Sequence, residues 1–332
     1  MENKKRNLVK IMDLIGMVIL GFLFVRYWFN NPELFYIQIQ FMIFILLLTI
    51  FTRSVTVRYC FTVYARGLFL GVGITLLIGA IYRLLGFDPA NDFFAYAIFF
   101  PIVEEICKIL PVILSAWLIY RSRKVQFNIS DWLALGMMAG AALGMSEDYY
   151  RTGVFGDHYG PHIGNVYLFP DALGGYFDRD YSLMGYVGHG AGTAFIAIAI
   201  GLGFYLSKKL KKNWLKWQVP LVAFIWITFE HMANNARAES SIMIKIFNLV
   251  GGGMWTPWIM LVLMLAGISL DANNFARVYK EVPRFKELAQ YGVKKVRGYM
   301  KEKTWPPFSF MKGCFNALRF LNRYAWNYFS KN

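Results

Sequence analysis

Long apolar runs separated by short polar connections dominate this chain. Stretches at about 11–29, 36–52, 61–83, 93–120, 132–150, 185–206, 219–236 and 255–271 are each long enough as helices to cross roughly 30 Å of hydrocarbon. The pattern predicts an all-α polytopic membrane protein with about eight transmembrane helices. It divides into an N-terminal three-helix membrane region (1–92), a four-helix core (93–236) with an outer loop at 151–184, an outer loop plus last transmembrane helix (237–272), and a tail (273–332). Basic residues precede the first run, which lacks a small-x-small cleavage site, so an uncleaved anchor is expected rather than a signal peptide.

Composition supports this class. Of 332 residues, 57% are hydrophobic and only 17% charged, so length alone does not argue for two soluble domains. Cys60, Cys107 and Cys314 are odd in number and widely scattered, which excludes a legible disulfide framework or zinc-finger spacing. Internal repeats are absent.

Charge orients the spans. Lys4, Lys5, Arg6 and Lys10 precede the first, Arg53 and Arg58 follow the second, and Arg121, Arg123 and Lys124 follow the fourth. Lys208, Lys209, Lys211 and Lys212 follow the sixth, while the alternate connections carry few cations. The positive-inside rule then places both termini in the cytoplasm. The tail holds 13 Lys+Arg against 3 Glu, a net +10 of the chain's +15, with interleaved aromatics such as Trp305, Phe308, Phe320 and Trp326. An amphipathic segment on anionic lipid headgroups is expected there. No recognition motif for nucleic acid accompanies the charge, so no nucleic-acid partner is expected.

Against this apolar background, a few titratable clusters stand out, because charge at membrane depth is costly and marks function. The fourth span carries Pro101-Ile-Val-Glu104-Glu105-Ile-Cys-Lys108-Ile-Leu-Pro111. Glu104, Glu105 and Lys108 share one arc of the helix, with Glu104 and Lys108 spaced as an i,i+4 pair. Pro111 frees the Cys107 carbonyl and favours a kink. Two adjacent glutamates exceed what one lysine neutralises, which favours proton handling over a bare ion pair. The fifth span aligns Gly136, Gly140 and Gly144 into a smooth ridge for close helix approach and continues that face to Glu147. Asp148 is expected to be a polar end-of-span residue without chemistry. His189 lies among small residues at the start of the sixth span, and the seventh ends with Glu230-His231-Met-Ala-Asn234-Asn235. His231 and Asn235 share a face, where imidazole and amide could orient water or donate to an oxyanion. At 1.5 Å per residue, Glu104 lies about 16 Å from the outer end of its span, with Glu147 and His231 about 24 and 18 Å from their inner ends. All could line one cavity open to the exterior.

The order Glu-Glu-x-x-Lys, a glycine-rich helix ending in Glu, a His among small residues, then His-x3-Asn resembles the PrsW-type intramembrane proteases. These are relatives of the CAAX-prenyl endopeptidase and bacteriocin-processing membrane proteases. The resemblance covers about 93–236; Leu143 departs from it, standing where Phe is expected. It implies a metal-independent glutamic peptidase without cofactor, in a bacterial cell membrane, that cuts a membrane-anchored protein such as an anti-sigma factor near the outer surface. Glu104 and Glu105 match the paired glutamates, Glu147 the second acid, His189 the third-motif histidine, and His231 with Asn235 the final pair. Lys108 supports the glutamates.

Three other readings are open. A zinc hydrolase could employ His189, His231 and Glu147, with His158 and His162 as further ligands, although Pro161 argues for a plain loop there. A proton-coupled transporter could use the buried carboxylates, but no inverted repeat is evident. A cysteine protease on Cys107 is weaker, since that residue points away from Glu105 on the helix.

The alternating charge yields a direct test. Cysteines introduced near Asp171 are expected to react with an impermeant thiol reagent applied outside intact cells, and cysteines near Lys209 are not. The opposite labelling would turn the paired glutamates towards the cytoplasm.

Overall fold

The computed structural model describes residues 11–331 apart from 12, 20, 23–24, 27–28, 30–31, 89–90, 124–125, 155–186, 237–239, 251–254, 284–285, 288–289 and 291–306. Among the described residues it contains ten α-helices and two π-helical turns, and no strand. The helices are α1 (Pro32–Leu48), α2 (Val57–Arg66), α3 (Gly73–Leu84), α4 (Phe100–Arg123), α5 (Ile129–Val154), α6 (His189–Lys209), α7 (Leu215–Ala236), α8 (Ser241–Leu249), α9 (Trp255–Glu281) and α10 (Pro307–Lys331). One π turn (Gly67–Val72) joins α2 to α3, and the other (Ala95–Phe99) leads into α4.

Four helical stretches are long and apolar enough to cross a membrane: Val57–Leu84, Ile129–Glu147, His189–Lys209 and Trp255–Glu281. This composition is that of a membrane protein. Other expected spans are also helical, but α1 is only 17 residues long. The helices α4 and α7 carry the Glu104, Glu105, Lys108 and Glu230 charges. The connection at 237–254, expected to be a loop, contains α8. Ser240 caps it by accepting from Met243 N, and Met243 packs among Ala97, Met232 and Ala236.

The core is the α5–α6 pair, whose apolar windows are the most buried of the four, α5 almost wholly and α6 for the most part. Small residues make this possible. A Cβ at Gly136 would stand 2.3 Å from Ala197 Cβ, and one at Gly140 would stand 2.1 Å from the His189 carbonyl oxygen. The glycine ridge expected from the sequence therefore does bring two backbones together. Gly188, at φ +88, turns the chain into α6 in a conformation that disfavours any side chain, so that His189 opens the helix.

Opposite ends of the bundle are fastened differently. At the end carrying the basic connections, Asn128 and Asp131 cap α5 reciprocally: Asp131 N donates to Asn128 Oδ1 at 2.8 Å, and Asn128 N donates to Asp131 Oδ2 at 3.2 Å. Asp131 also accepts from the backbone N–H groups of Ser54 and Val55. Asp271 of α9 accepts from Ser130 N at 2.7 Å and Ile129 N at 3.3 Å, satisfying further free donors of the same helix start. The tail helix α10 lies against this end. Ala325 and Trp326 are buried, Trp326 stacks on Tyr205, and Asn322 Nδ2 donates to the Phe51 carbonyl at 2.6 Å. Part of the tail's apolar face is thus covered by protein. Near the N-terminus, Arg66 pairs with Asp13 at 2.8 Å and donates to Ser115 Oγ, tying residue 13 to α2 and α4.

Gly140→Ala should lower the thermal midpoint in detergent by the equivalent of about 1–3 kcal/mol or more, since the new methyl meets backbone that cannot yield easily. Gly73→Ala, with nothing within 4 Å of its Cβ position, should be neutral or stabilising.

Candidate active site

Six of the titratable residues picked out in the sequence converge where α4, α5, α6 and α7 meet. Glu104, Glu105 and Lys108 come from the first turns of α4, Glu147 from near the end of α5, His189 from the first position of α6, and His231 from near the end of α7. All lie at the end of their helices away from the basic connections at 121–128 and 207–215.

Lys108 is the hub. Its side chain is fully buried and donates to Glu105 Oε1 of its own helix and to His189 Nδ1 at 2.9 Å. The expected i,i+4 partnership with Glu104 is replaced by an i,i+3 pair with Glu105. The rotation that brings Lys108 to His189 carries it towards Glu105 instead. An ammonium only donates, so Nδ1 of His189 accepts and the ring proton sits on Nε2. Nε2 in turn donates to Glu147 Oε2 at 2.5 Å. On the other side, Glu105 Oε1 accepts from His231 Nδ1 at 2.9 Å, and His231 Nε2 then faces Glu104 Oε2 at 3.8 Å. The two imidazoles meet edge-on with centroids 5.4 Å apart.

Exposure divides the carboxylates. The Glu105 side chain has 0% of its surface exposed, whereas Glu104 keeps 21% and Glu147 25%. Glu105 is an internal organiser of Lys108 and His231. Glu104 and Glu147 are the two acids that a ligand or water could reach. The 3.8 Å gap between Glu104 and His231 is too long for a direct hydrogen bond and short enough for one water to contact both.

Asn235 is not brought into this group. It is exposed, and its Nδ2 donates to the Tyr96 carbonyl at 3.1 Å, within the π turn preceding α4. The side chain of Asp148, together with His158, His162 and Asp171, lies outside the described residues. Cys107 is buried on α4, and Gly71 of the first π turn faces its carbonyl, with a Cβ there 3.6 Å from that oxygen.

A further buried acid, which the spacing of the motifs does not single out, lies beside this group. Glu230 is fully buried; it accepts from Val187 N at 2.9 Å and from the Thr256 hydroxyl, which itself accepts from Trp226 Nε1 at 2.8 Å. It therefore holds the backbone just ahead of Gly188 and His189 and links that entry to the start of α9. The signal was present: a carboxylate in an otherwise apolar run must have donors around it.

Glu104, His189 and His231 can each offer one ligand atom, and these atoms lie within 4.8 Å of one another. A two-histidine, one-carboxylate set suits a catalytic divalent cation. It draws on Glu104 rather than on Glu147. The Glu105–His231 bond matches the way a carboxylate orients a ligand imidazole. His189 fits less well, because Nδ1 already meets Lys108 and Nε2 meets Glu147.

Comparison with protein-family models, with curated proteins and with solved structures finds no match for this chain.

Because Lys108 is the buried cation between two helices, Lys108→Met should destabilise the protein by about 3–5 kcal/mol, as expected when one partner of a buried pair is removed. The double variant Glu105→Gln/Lys108→Met should recover much of that loss in thermal melts. Equal destabilisation of the single and double variants would mean that the pair is not energetically coupled.

Proposed function

We propose that the chain is a glutamic intramembrane peptidase, a multi-pass protein of a bacterial cell membrane with both termini cytoplasmic and its site towards the outer side. The observation that carries this reading is the pairing of an accessible carboxylate, Glu104, with His231 at 3.8 Å, close enough for one water to bridge both from the side, backed by a wholly buried acid and cation. The resemblance of the ordered motifs to PrsW-type proteases points the same way.

In this reading Glu104 is the general base. It takes a proton from a water held between its Oε2 and His231, and the hydroxide attacks the peptide carbonyl of a membrane-anchored substrate. Glu104, now a carboxylic acid, returns the proton to the amide nitrogen as the C–N bond breaks. Glu105 fixes the tautomer and angle of His231, with Lys108 compensating its charge. His189 and Glu147 extend the network towards the opening, where the Nε2–H of His189 could turn from Glu147 to donate to the tetrahedral oxyanion. Asn235 acts indirectly, through the π turn that sets the start of α4.

A second reading is favoured by one observation, the closeness of ligand atoms on Glu104, His189 and His231. A zinc ion there would activate the water itself, with Glu104 as ligand rather than base. It would require His189 to give up its bond to either Glu147 or Lys108.

Cleavage of a membrane-anchored reporter by purified protein separates these readings. Glu104→Gln is expected to fold and insert normally and lose about two to four orders of magnitude in turnover. Cleavage by the unaltered protein should persist after strong chelation. Loss on chelation with recovery on adding Zn²⁺ would favour the metal reading, and normal cleavage by well-folded Glu104→Gln would end the glutamic one.

A further inference from the structure

The basic end of the bundle, far along the helices from the acidic site, holds a second group of charges that the proposed peptidase chemistry does not use. Arg53 sits in the turn between α1 and α2 and is 1% exposed, yet its Nε and Nη1 are buried without a hydrogen-bond partner. Above it lies α10, which contributes Arg319 and Arg323, and each of these also has a buried Nε without a partner. Arg323 Nη2 donates to the Ser54 carbonyl at 3.0 Å, and Arg319 Nη1 donates to Asn316 Oδ1 at 3.2 Å. The helix that brings these two cations is therefore docked directly on the segment that carries Arg53.

Among the described residues no carboxylate pairs with these arginines. Asp131 and Asp271, the buried acids of this end, are occupied by the backbone and hydroxyl donors of residues 54–55 and 128–130 and form no ion pair with the three arginines. Burial, and then the like charge of Arg53, pull the Arg319 guanidinium below its ordinary pKa, so the two cations feel each other. An uncompensated buried guanidinium is among the most costly arrangements in a protein, and here it adjoins two more. Arginine's planar fork of donors matches phosphate oxygens, and clustered arginines are the usual means of holding that group. The position, at the end of the bundle next to the basic connections, is where lipid phosphates would also lie if the helices span a membrane.

We infer that Arg53, Arg319 and Arg323 form a binding site for a phosphate group, which bridges the α1–α2 turn to the tail helix α10 and supplies the charge that this contact lacks. Docking of the tail is then dependent on the anion. The site is independent of the peptidase reading, since none of its residues touches the acidic cluster.

The test uses the full chain in a neutral detergent, in chloride buffer, with thermal unfolding as the readout. Inorganic phosphate and short-chain phosphatidylglycerol are titrated separately, with short-chain phosphatidylcholine as the neutral-headgroup comparison. The midpoint is expected to rise saturably with an anionic probe. Arg319→Gln and Arg53→Met should each raise the half-saturating concentration about tenfold or more, as loss of a charge-assisted contact implies. A response to both anionic probes assigns the site to the phosphate group itself, and a response to phosphatidylglycerol alone assigns it to a lipid headgroup. Lys208→Gln/Lys209→Gln, which removes exposed charge at the same end, should leave the response intact. No saturable rise with either anionic probe would overturn the assignment. So would an unchanged response in Arg319→Gln, a site tolerant enough to decide the matter if Arg53→Met does not fold, or an equal loss in the lysine double variant.

Discussion

The ammonium group of Lys108 is the constraint around which the upper half of the bundle is arranged. Fully shielded from solvent, it must be met by acceptors, and it finds them on Glu105 of its own helix and His189 of another. Those two bonds propagate. Glu105 orients His231, and the proton forced onto Nε2 of His189 engages Glu147. One cation thereby couples four helices, and any motion of α4 relative to α6 would break a charge-assisted hydrogen bond in a medium where it has no substitute.

Close packing makes that coupling possible. His189 can approach Lys108 because α6 lies against the glycine face of α5, with the His189 carbonyl nearly in contact with Gly140. Glu230 fixes the backbone just before that point, from the side of α7. The small residues and the buried acids therefore serve one purpose: the glycines set the distance between helices, and the carboxylates set the rotation and axial position. Neither would place the imidazoles alone.

Much of this arrangement was legible in the sequence, for a physical reason. Charged groups in apolar runs are so costly that Glu104, Glu105, Lys108, Glu147, His189 and His231 announce themselves, and the glycine spacing announces the close approach of α5. What could not be read was which partner each would take. Glu104 and Glu105 are nearly equivalent neighbours of Lys108 on an isolated helix, and only the position of His189 decides between them. Asn235 was grouped with His231 by helical spacing, but the nearby π turn offers it the Tyr96 carbonyl, and no pattern of residue types signals that acceptor. The tail's amphipathic composition was evident, whereas its docking on residues 51–54 depends on contacts between segments about 270 positions apart.

The π turn at Ala95–Phe99 has a consequence for how the paired glutamates face the bundle. Such a turn accommodates one residue more than an α-helical turn, so it acts as a rotational spacer between the anchored start of the segment and α4. That start is fixed: Asp92 accepts from the Tyr82 hydroxyl at 2.5 Å and from Phe94 N at 3.0 Å. If the same stretch closed into regular α-helix while Asp92 stayed in place, every residue beyond it would turn by about 100° and slide by about 1.5 Å. Glu104 would leave His231, and Val103 would take the place it vacated. The inserted residue is what converts an adjacent pair of acids into two different environments, one sealed and one open.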